Sequence, residues 1–277
     1  MALVTATPAQ AGVPYDAGDY IPAKPGTNLV LLYGQTSSAT GLYDGGHEID
    51  SKAKLTSDLT ILRIVHFSQV ADMPFNVQIL QPYGRVRTTA GNASTQSSGL
   101  GDMTLVATVW PVNDTRRGHY LGMTAFLYLP TGDYRAHRAT NIGENRFKGV
   151  FQLGYSHRIS KQFVAELGAD VTFYGRNPNL RGMVLRQMPR FSVQAHARYL
   201  LGEANEFNIR AMYSRGMRGD FQGQPQDLDP GSLSLLAGVR HTVSPTLQIM
   251  LEGGRDVFIR NGYKEGARGQ IRLLFTL

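Results

Sequence analysis

The stretch FSVQAHARY, residues 191–199, alternates apolar and polar side chains without a break. Because successive side chains on a β-strand point to opposite faces, one face of this segment is apolar and the other is polar. The apolar face begins with Phe191 and ends with Tyr199, whereas the polar face carries His196 and Arg198. The fold depends on which of these two faces points inward.

Segments with this alternation recur along the chain and predict twelve β-strands. Most are about twice as long as an average strand of roughly five or six residues. About ten residues, tilted by roughly 45°, are enough to cross the hydrocarbon layer of a membrane. We predict strands at residues 27–35, 58–70, 75–88, 101–112, 118–131, 147–159, 162–175, 188–201, 205–217, 231–243, 246–259 and 265–277.

One predicted strand, 58–70, has an ambiguous pattern. Ile61 and Leu62 are apolar neighbours that would point to opposite faces, and Arg63 follows them. Since two faces compete for the apolar role, the pattern predicts a register slip or a β-bulge in this strand.

The connections between the predicted strands alternate between short and long. Short links such as Ser160-Lys161 are followed by longer ones, among them residues 36–57, 89–100 and 131–146. Short periplasmic turns and long external loops are the plan of an outer-membrane barrel. With an even number of strands, both ends of the barrel fall on the periplasmic side.

The spacing of aromatic residues indicates which face is outside. Phe163 and Phe173 end one apolar face and are separated by about 20–25 Å along the membrane normal. This separation matches the two aromatic girdles of a transmembrane barrel, whereas a soluble barrel would bury its apolar face. The sequence therefore predicts an all-β protein, a 12-stranded antiparallel up-and-down transmembrane β-barrel over residues 27–277, preceded by a non-strand segment over residues 1–26.

Composition excludes other classes of protein. The 277 residues include 31 glycines and no cysteine, and the net charge is +7. No apolar run approaches the roughly 18 residues of a membrane-spanning helix. The basic residues are scattered, so we expect no nucleic-acid partner. The expected partners are membrane lipid, lipopolysaccharide and a small-molecule solute, and the expected state is a monomer.

In such a barrel the polar faces line a wet lumen. Charges of both signs there would either fill and stiffen a narrow barrel or set the selectivity of a pore, and both interpretations stay open. The predicted pore-lining residues are Gln152, Arg158, Glu166, Asp170, Gln194, His196, Arg198, Asn208, Arg210, Arg240, Gln248, Glu252, Asp256 and Arg272.

The N-terminal segment, residues 1–26, contains several prolines and no strand pattern. One interpretation is a disordered tail. The other is a plug folded back into the lumen, formed around Asp16, Asp19 and Tyr20, in which the acids would meet lumen arginines.

Candidate catalytic residues are few. An outer-membrane barrel that hydrolyses lipids would need serine and histidine on its lipid-facing side. His119, His157 and His241 fall on that side, but none has an obvious serine partner. We therefore expect no catalytic residues, no metal site and no cofactor. The alternative function is an outer-membrane barrel enzyme acting on lipids.

Arg255 falls on the lipid-facing side of its predicted strand. A charge at the bilayer centre would cost about 2–4 kcal/mol, falling towards zero at an interface. Since the strand runs outward, we expect Arg255 at the outer interface, where it would meet lipopolysaccharide phosphates. Alternatively, Gly253-Gly254 forms a bulge that reverses the phase.

Five short motifs occur in order along the chain: PGT at Pro25–Thr27, GLGDMTL at Gly99–Leu105, LPTGDY at Leu129–Tyr134, NIGENRF at Asn141–Phe147 and the pair Gly154-Tyr155. Their order and spacing resemble a family of outer-membrane channels encoded with operons for the breakdown of aromatic compounds, labelled meta-pathway phenol degradation-like. The resemblance implies a 12-stranded channel for uptake of small molecules, hydrophobic or aromatic ones included, and no catalytic residues.

The long loop after Pro130 carries two of these motifs. Asp133, Glu144, Asn145 and Arg146 would hold it folded into the barrel mouth as a constriction, unless it is an ordinary ordered loop. We therefore predict passive uptake through a narrow or partly occluded lumen. Hydrophobic solutes would have a sideways exit where Pro82 or Gly84 breaks the strand ladder.

Overall fold

The computed structural model describes residues 13–91, 93–216 and 219–277, and these residues form seventeen β-strands. Within them, no helix has the length and apolar character needed to cross a membrane. The strands are β1 (Asn28–Asp44), β2 (His47–Val70), β3 (Met73–Ala90), β4 (Ala93–Leu100), β5 (Thr104–Asp114), β6 (His119–Tyr128), β7 (Lys148–Arg158), β8 (Phe163–Tyr174), β9 (Asn177–Leu180), β10 (Met183–Gln187), β11 (Arg190–Leu201), β12 (Asn205–Arg215), β13 (Gly219–Phe221), β14 (Gln224–Gln226), β15 (Ser232–Ser244), β16 (Leu247–Phe258) and β17 (Gly262–Thr276).

Thirteen of the described strands close into one antiparallel barrel. β1 pairs with both β2 and β17, and the order runs on through β16, β15, β12, β11, β8, β7, β6, β5 and β3 to close on β2. β4 and β5 pair with successive parts of β3, so together they occupy one strand position of the barrel, which is interrupted at residues 101–103. We call each strand position of the barrel a stave. The described chain thus builds twelve staves, and the predicted 12-stranded barrel is confirmed.

The exposure pattern confirms that the apolar face is outside. On the lipid-facing side Phe173 is 46% exposed and Val193 is 53% exposed, whereas Gln194 and His196 are almost completely buried inside. A soluble barrel would show the reverse arrangement. Hydrocarbon, rather than a protein core, therefore covers the apolar faces of the strands.

Three neighbouring strands are taller than the rest. β1, β2 and β3 have 17, 24 and 18 residues, against 11 in β7. The predicted loops at residues 36–57 and 89–100 are wrong, because these residues extend β1 and β2 or form β4. Above the bilayer the outer face of a strand meets water, so residues such as Thr36 and Ser38 continue the ladder without an apolar pattern.

Two predicted irregularities are absent from the described strands. The β2–β3 register runs without a shift from Lys54 to Val70, so the predicted slip in 58–70 is wrong. Likewise Arg255 is exposed and Asp256 is buried, so Gly253-Gly254 does not reverse the phase of β16. The ambiguous pattern near Ile61 arises because the interior is apolar on this side of the barrel.

A small second sheet covers part of the external end. β9, β10, β13 and β14 pair antiparallel within segments that the sequence assigned to loops. Leu180, Leu185 and Phe221 form a buried apolar cluster on this sheet. These strands have only three to five residues, which is too short for an alternating pattern to stand out.

Candidate functional site

Among the first described residues, 13–26, those from 13 to 23 are buried or half-buried inside the barrel, and 24–26 are exposed just before β1. Tyr20 is almost fully buried, its hydroxyl donates to Oε1 of Gln152 at 2.8 Å, and its carbonyl accepts a hydrogen bond from Nε1 of Trp110 at 3.0 Å. The carbonyl of Val13 accepts from the amides of Gln152 and Gln194 at 2.7 and 3.0 Å. We call residues 13–26 the inner segment.

Two acids of the inner segment pair with inward-facing arginines of the wall. Asp16 Oδ2 lies 2.9 Å from Nη1 of Arg272 and also accepts from the Tyr33 hydroxyl at 3.0 Å. Asp19 Oδ2 lies 3.0 Å from Nη1 of Arg63. These pairs join residues more than 40 positions apart in the chain.

The charges around Asp16 keep it ionised. Burial alone would raise the pKa of this carboxyl, but the guanidinium groups of Arg272, Arg210 and Arg63 outweigh burial and lower the pKa from 3.8 to about 2. At neutral pH the inner segment therefore carries a full negative charge at this position.

Glycines of the wall make room for the two tyrosine rings of the inner segment. A Cβ atom added at Gly154 would lie 2.1 Å from Cδ2 of Tyr20, and one at Gly168 would lie 2.4 Å from Cε1 of Tyr15. Contacts this short cannot be tolerated without a shift of the ring. Glycine is therefore needed at position 154 of the Gly154-Tyr155 motif, because the Tyr20 ring occupies the space of a side chain.

The predicted pore-lining residues point into the barrel along most of its wall. The structure buries eleven of them: Gln152, Glu166, Asp170, Gln194, His196, Arg198, Asn208, Arg210, Glu252, Asp256 and Arg272. Arg240 and Gln248 are half-buried, and Arg158 is exposed at the periplasmic end of β7.

Several of these residues form a chain of ion pairs across adjacent strands. Arg198 lies 2.6 Å from Glu166 and 2.7 Å from Glu206, which also binds Arg240 at 2.6 Å. Arg210 lies 2.7 Å from Glu252. Most of the charge in this part of the lumen is therefore neutralised within the wall.

Sequence reasoning missed some residues of the interior. Arg63 and Glu206 are inward-facing partners in these networks. The period-two alternation of its strand would have identified Glu206, whereas Arg63 lies in the predicted strand whose pattern is ambiguous. Trp110, Val65 and Phe67 form a buried apolar cluster inside the barrel, which the expectation of a uniformly polar lumen overlooked. Ala23 of the inner segment packs against this cluster and shields it from water.

The loop between β6 and β7, residues 129–147, folds back over the inner face of β3 and β4. Thr140 is 1% exposed and its hydroxyl lies within hydrogen-bonding distance of Thr88 and Thr95. Asp102, in the interrupted stave, accepts hydrogen bonds from the backbone N–H groups of Gly132 and Glu144, both at 2.9 Å. Three of the sequence motifs therefore meet at one carboxylate.

The four residues expected to hold this loop have different surroundings. Asp133 Oδ2 accepts from the backbone N–H of Leu100 at 2.7 Å. Asn145 has a positive φ of 54° and its side chain binds Asn177. Glu144 pairs with Arg146 at 2.7 Å and with Lys148.

Between this loop and the inner segment lies a cavity of about 320 Å³. Its floor includes Val13, and its walls include Tyr128, Tyr174, Ile61 and Glu144. The volume is at the lower end of the range for small-molecule pockets, about 300–1,000 Å³. The cavity can therefore hold one small organic molecule.

The three histidines considered as catalytic candidates have other partners. His119 stacks on His157 with a centroid distance of 4.0 Å, and its Nδ1 lies 2.7 Å from the Tyr155 hydroxyl. His241 Nδ1 lies 2.8 Å from Oδ1 of Asn205. Among the described residues, no cluster of His, Asp or Glu is arranged to hold a metal ion.

A barrel with its apolar face in lipid and a partly filled polar lumen defines the class of the protein, an outer-membrane β-barrel channel. Residues 37–273 match the sequence model of the family described as "Putative MetA-pathway of phenol degradation", and the chain belongs to this family. The suspected family is thereby confirmed. No curated protein matches the sequence.

Solved structures give the same fold. The chain is similar to an outer membrane channel from Pseudomonas putida F1, with 29% identity, a TM-score of 0.91 and coverage of 95% of this chain and 100% of that chain. It is also similar to the β domain of the Bordetella autotransporter BrkA (13% identity, TM-score 0.57, coverage 92% and 100%) and to the NanC porin (9%, 0.52, 90% and 100%). The last two similarities concern the fold alone.

Proposed function

We propose that this outer-membrane channel admits small hydrophobic or aromatic molecules by passive diffusion. The observation that carries the proposal is the cavity above the inner segment, which combines the rings of Tyr128 and Tyr174 with the apolar side chains of Ile61, Ile142 and Val150. Aromatic and aliphatic linings favour ligands with apolar surface. The membership in a phenol-degradation family agrees with this class of solute.

We propose further that the inner segment is a plug. Its backbone and side chains bind wall residues on several staves, among them Gln152, Arg63, Arg210 and Arg272. A segment held in this way narrows a barrel of twelve staves, whose interior is small to begin with. Residues 13–26 then act as a plug and residues 27–277 as a barrel; residues 1–12 of the predicted N-terminal segment lie outside the described residues.

The loop over residues 129–147 would act as a constriction above the plug. Its support comes from Asp102, which ties the loop to the interrupted stave, and from Glu144, which binds Arg146 and Lys148. The loop and the plug together enclose the cavity, so a solute would have to pass both to cross the lumen.

A sideways exit is a second feature of the proposal. Gln81 and Pro82 of β3 fall between the registers of β5 and β4, since Leu80 pairs with Thr104 and Tyr83 with Leu100. The cavity reaches Pro82 and Gly101 at this interruption. A hydrophobic solute would enter the bilayer here more readily than through the fully paired staves; Gly84, in contrast, is paired.

The outer face offers contacts for lipopolysaccharide. Arg85 and Arg87 are on the outward face of β3, beyond Tyr83. Both come more than 11 residues after Met73, where β3 begins, and 11 residues is the whole length of β7. They therefore lie towards the external end of the barrel. Arg255 is also exposed on the outer half of β16. We propose that these arginines bind lipid phosphates, that the channel is a monomer, and that it has no catalytic activity.

The test of the channel proposal is planar-bilayer recording of the purified protein and of a variant that lacks residues 1–24. We expect the variant to conduct several times more current, because the ion pairs of Asp16 and Asp19 are gone. Deletion of residues 1–12 alone is the matched control, since it keeps the inner segment. Swelling of liposomes with phenol-sized solutes gives the second readout.

Equal conductance of the full chain and the 1–24 deletion would refute the plug. A failure of every small solute to enter liposomes through the deletion variant would refute the channel function itself. Release of fatty acid from the same liposomes would favour the alternative, an enzyme acting on lipids.

A further inference from the structure

The cavity above the plug contains a buried arginine that is only partly satisfied. Arg146 is 5% exposed, and its Nε and Nη2 atoms donate to Oε2 of Glu144 at 3.0 and 2.7 Å. Nη2 also donates to Oε1 of Gln187 at 3.0 Å. Nη1 is buried and has no hydrogen-bond partner among the described residues.

An unsatisfied buried donor of this kind points to a ligand. Buried polar groups are almost always hydrogen-bonded, and leaving one without a partner is costly. Arg146 lines the cavity, and Nη1 belongs to a guanidinium group whose planar fork suits a carboxylate. A bound anion would complete the hydrogen bonding of Arg146.

The charges near Arg146 favour an anion. Glu144 is the only carboxylate that pairs with Arg146 and Lys148 in the described structure, so two cations share one acid. Burial would raise the pKa of Glu144, but Lys148 and Arg146 outweigh it and hold this pKa well below its usual range. Glu144 therefore stays charged and neutralises one cation only.

The other acids that line the cavity form no ion pair with Arg146 in the described structure. Both carboxylate oxygens of Asp102 accept hydrogen bonds from backbone N–H groups. Asp227 pairs with Arg260 at 3.1 Å, and Asp44 is exposed at the external end of β1.

The same wall presents two aromatic rings. The guanidinium carbon of Arg146 lies 4.6 Å from the centre of the Tyr174 ring, and Nζ of Lys148 lies 4.3 Å from the centre of the Tyr128 ring. Each cation is therefore held beside a flat apolar surface, and Ile61 and Val150 line the same cavity. A ligand that fits has an anionic group at one end and a ring at the other.

We propose that the cavity is a binding site for small aromatic carboxylates, of which benzoate is the simplest probe. The carboxylate accepts from Nη1 of Arg146, and the ring packs among Tyr128, Tyr174 and the apolar side chains. This inference rests on the proposed channel function and names its substrate class: aromatic acids, rather than neutral hydrocarbons, occupy the site above the plug.

The experiment is titration calorimetry on the full-length protein in detergent, with benzoate and its neutral isostere benzamide. We expect benzoate to bind at least about tenfold more tightly than benzamide, because its hydrogen bond to Arg146 is charge-assisted. Arg146→Gln should weaken benzoate binding about 10- to 100-fold and leave benzamide binding unchanged. Arg135→Gln, an exposed arginine of the same loop, is the matched control and should have no effect.

Equal binding of benzoate and benzamide to the unmodified protein would overturn the inference, whether or not Arg146→Gln folds. An equal loss of benzoate binding in Arg135→Gln would also overturn it, because the effect would then be one of net charge. If neutral solutes cross liposomes while benzoate fails to bind, this inference fails and the channel function stands. If no solute crosses, the channel function fails, and the calorimetry still decides whether the site exists.

Discussion

The ion pair between Asp16 and Arg272 should hold the plug in the barrel. Asp16→Asn removes the negative charge but keeps the size of the side chain, so three neighbouring arginines, Arg272, Arg210 and Arg63, lose a counter-charge that they share. The shift of the Asp16 pKa from 3.8 to about 2 corresponds to about 2–3 kcal/mol of favourable interaction. Breaking a buried pair by removing one partner typically costs about 3–5 kcal/mol.

With the lower of these free energies, about 2 kcal/mol, Asp16→Asn should shift the equilibrium between docked and undocked plug at least about thirtyfold towards the undocked state. Two assays follow the change. Single-channel conductance at pH 7 should rise towards that of the 1–24 deletion. Trp110 is the single tryptophan of the chain and donates to the carbonyl of Tyr20, so its fluorescence should shift to longer wavelength as the plug leaves.

The unmodified protein should show the same transition at low pH. Because docking lowers the pKa of Asp16, its contribution is complete above about pH 4 and is lost as the pH falls towards about 2. Conductance should therefore rise in that window, and the Asp16→Asn variant should lack this component. Glu203→Gln, an exposed acid in a periplasmic turn, is the control and should behave like the unmodified protein.

Unchanged conductance and unchanged Trp110 emission in Asp16→Asn at pH 7 would refute the reasoning. The plug would then be held by its backbone contacts, such as those of Val13 with Gln152 and Gln194, rather than by charge.

Two further predictions concern the wall. Gly154→Ala should open the channel, because the added Cβ would overlap the Tyr20 ring. Single-channel recording should show a higher conductance than for the control Gly149→Ala, where nothing lies within 4 Å of the added Cβ. Equal conductance of the two variants would contradict the steric argument. Replacing Arg85, Arg87 and Arg255 by glutamine should lower the amount of lipopolysaccharide retained per purified barrel several-fold, as measured by phosphate content. The control, Arg116→Gln with Arg117→Gln in a periplasmic turn, should retain the normal amount. An equal loss in both variants would exclude a specific site on the outer face.

The sequence alone was sufficient for the barrel and its orientation. In FSVQAHARY every second residue is apolar, and Phe191 and Tyr199 mark the two interfaces, because lipid covers one face and the lumen the other. This information is local to each strand, since the bilayer surrounds all staves in the same way. The alternation alone therefore predicted twelve staves and the inward positions of Gln194 and Arg198, and the structure has both.

The pattern weakened where the bilayer no longer imposed it. The extensions of β1, β2 and β3 lie above the membrane, where Thr36 and Ser38 face water. Their sequence has no apolar alternation, and it therefore predicted loops. The inner faces near Ile61, Val65 and Trp110 are apolar because Ala23 of the inner segment and neighbouring side chains cover them. Both errors have one origin, the assumption that every stave has lipid outside and water inside.

The contents of the lumen were decided by the tertiary structure. Asp16 was a candidate plug residue in the sequence, yet nothing local named Arg272, 256 positions away, as its partner. Gly154 and Gly168 gain their meaning only when the rings of Tyr20 and Tyr15 approach them. A barrel wall is specified by an alternation repeated along each strand, whereas the fit of one segment inside it depends on contacts between distant residues, which have no period in the sequence.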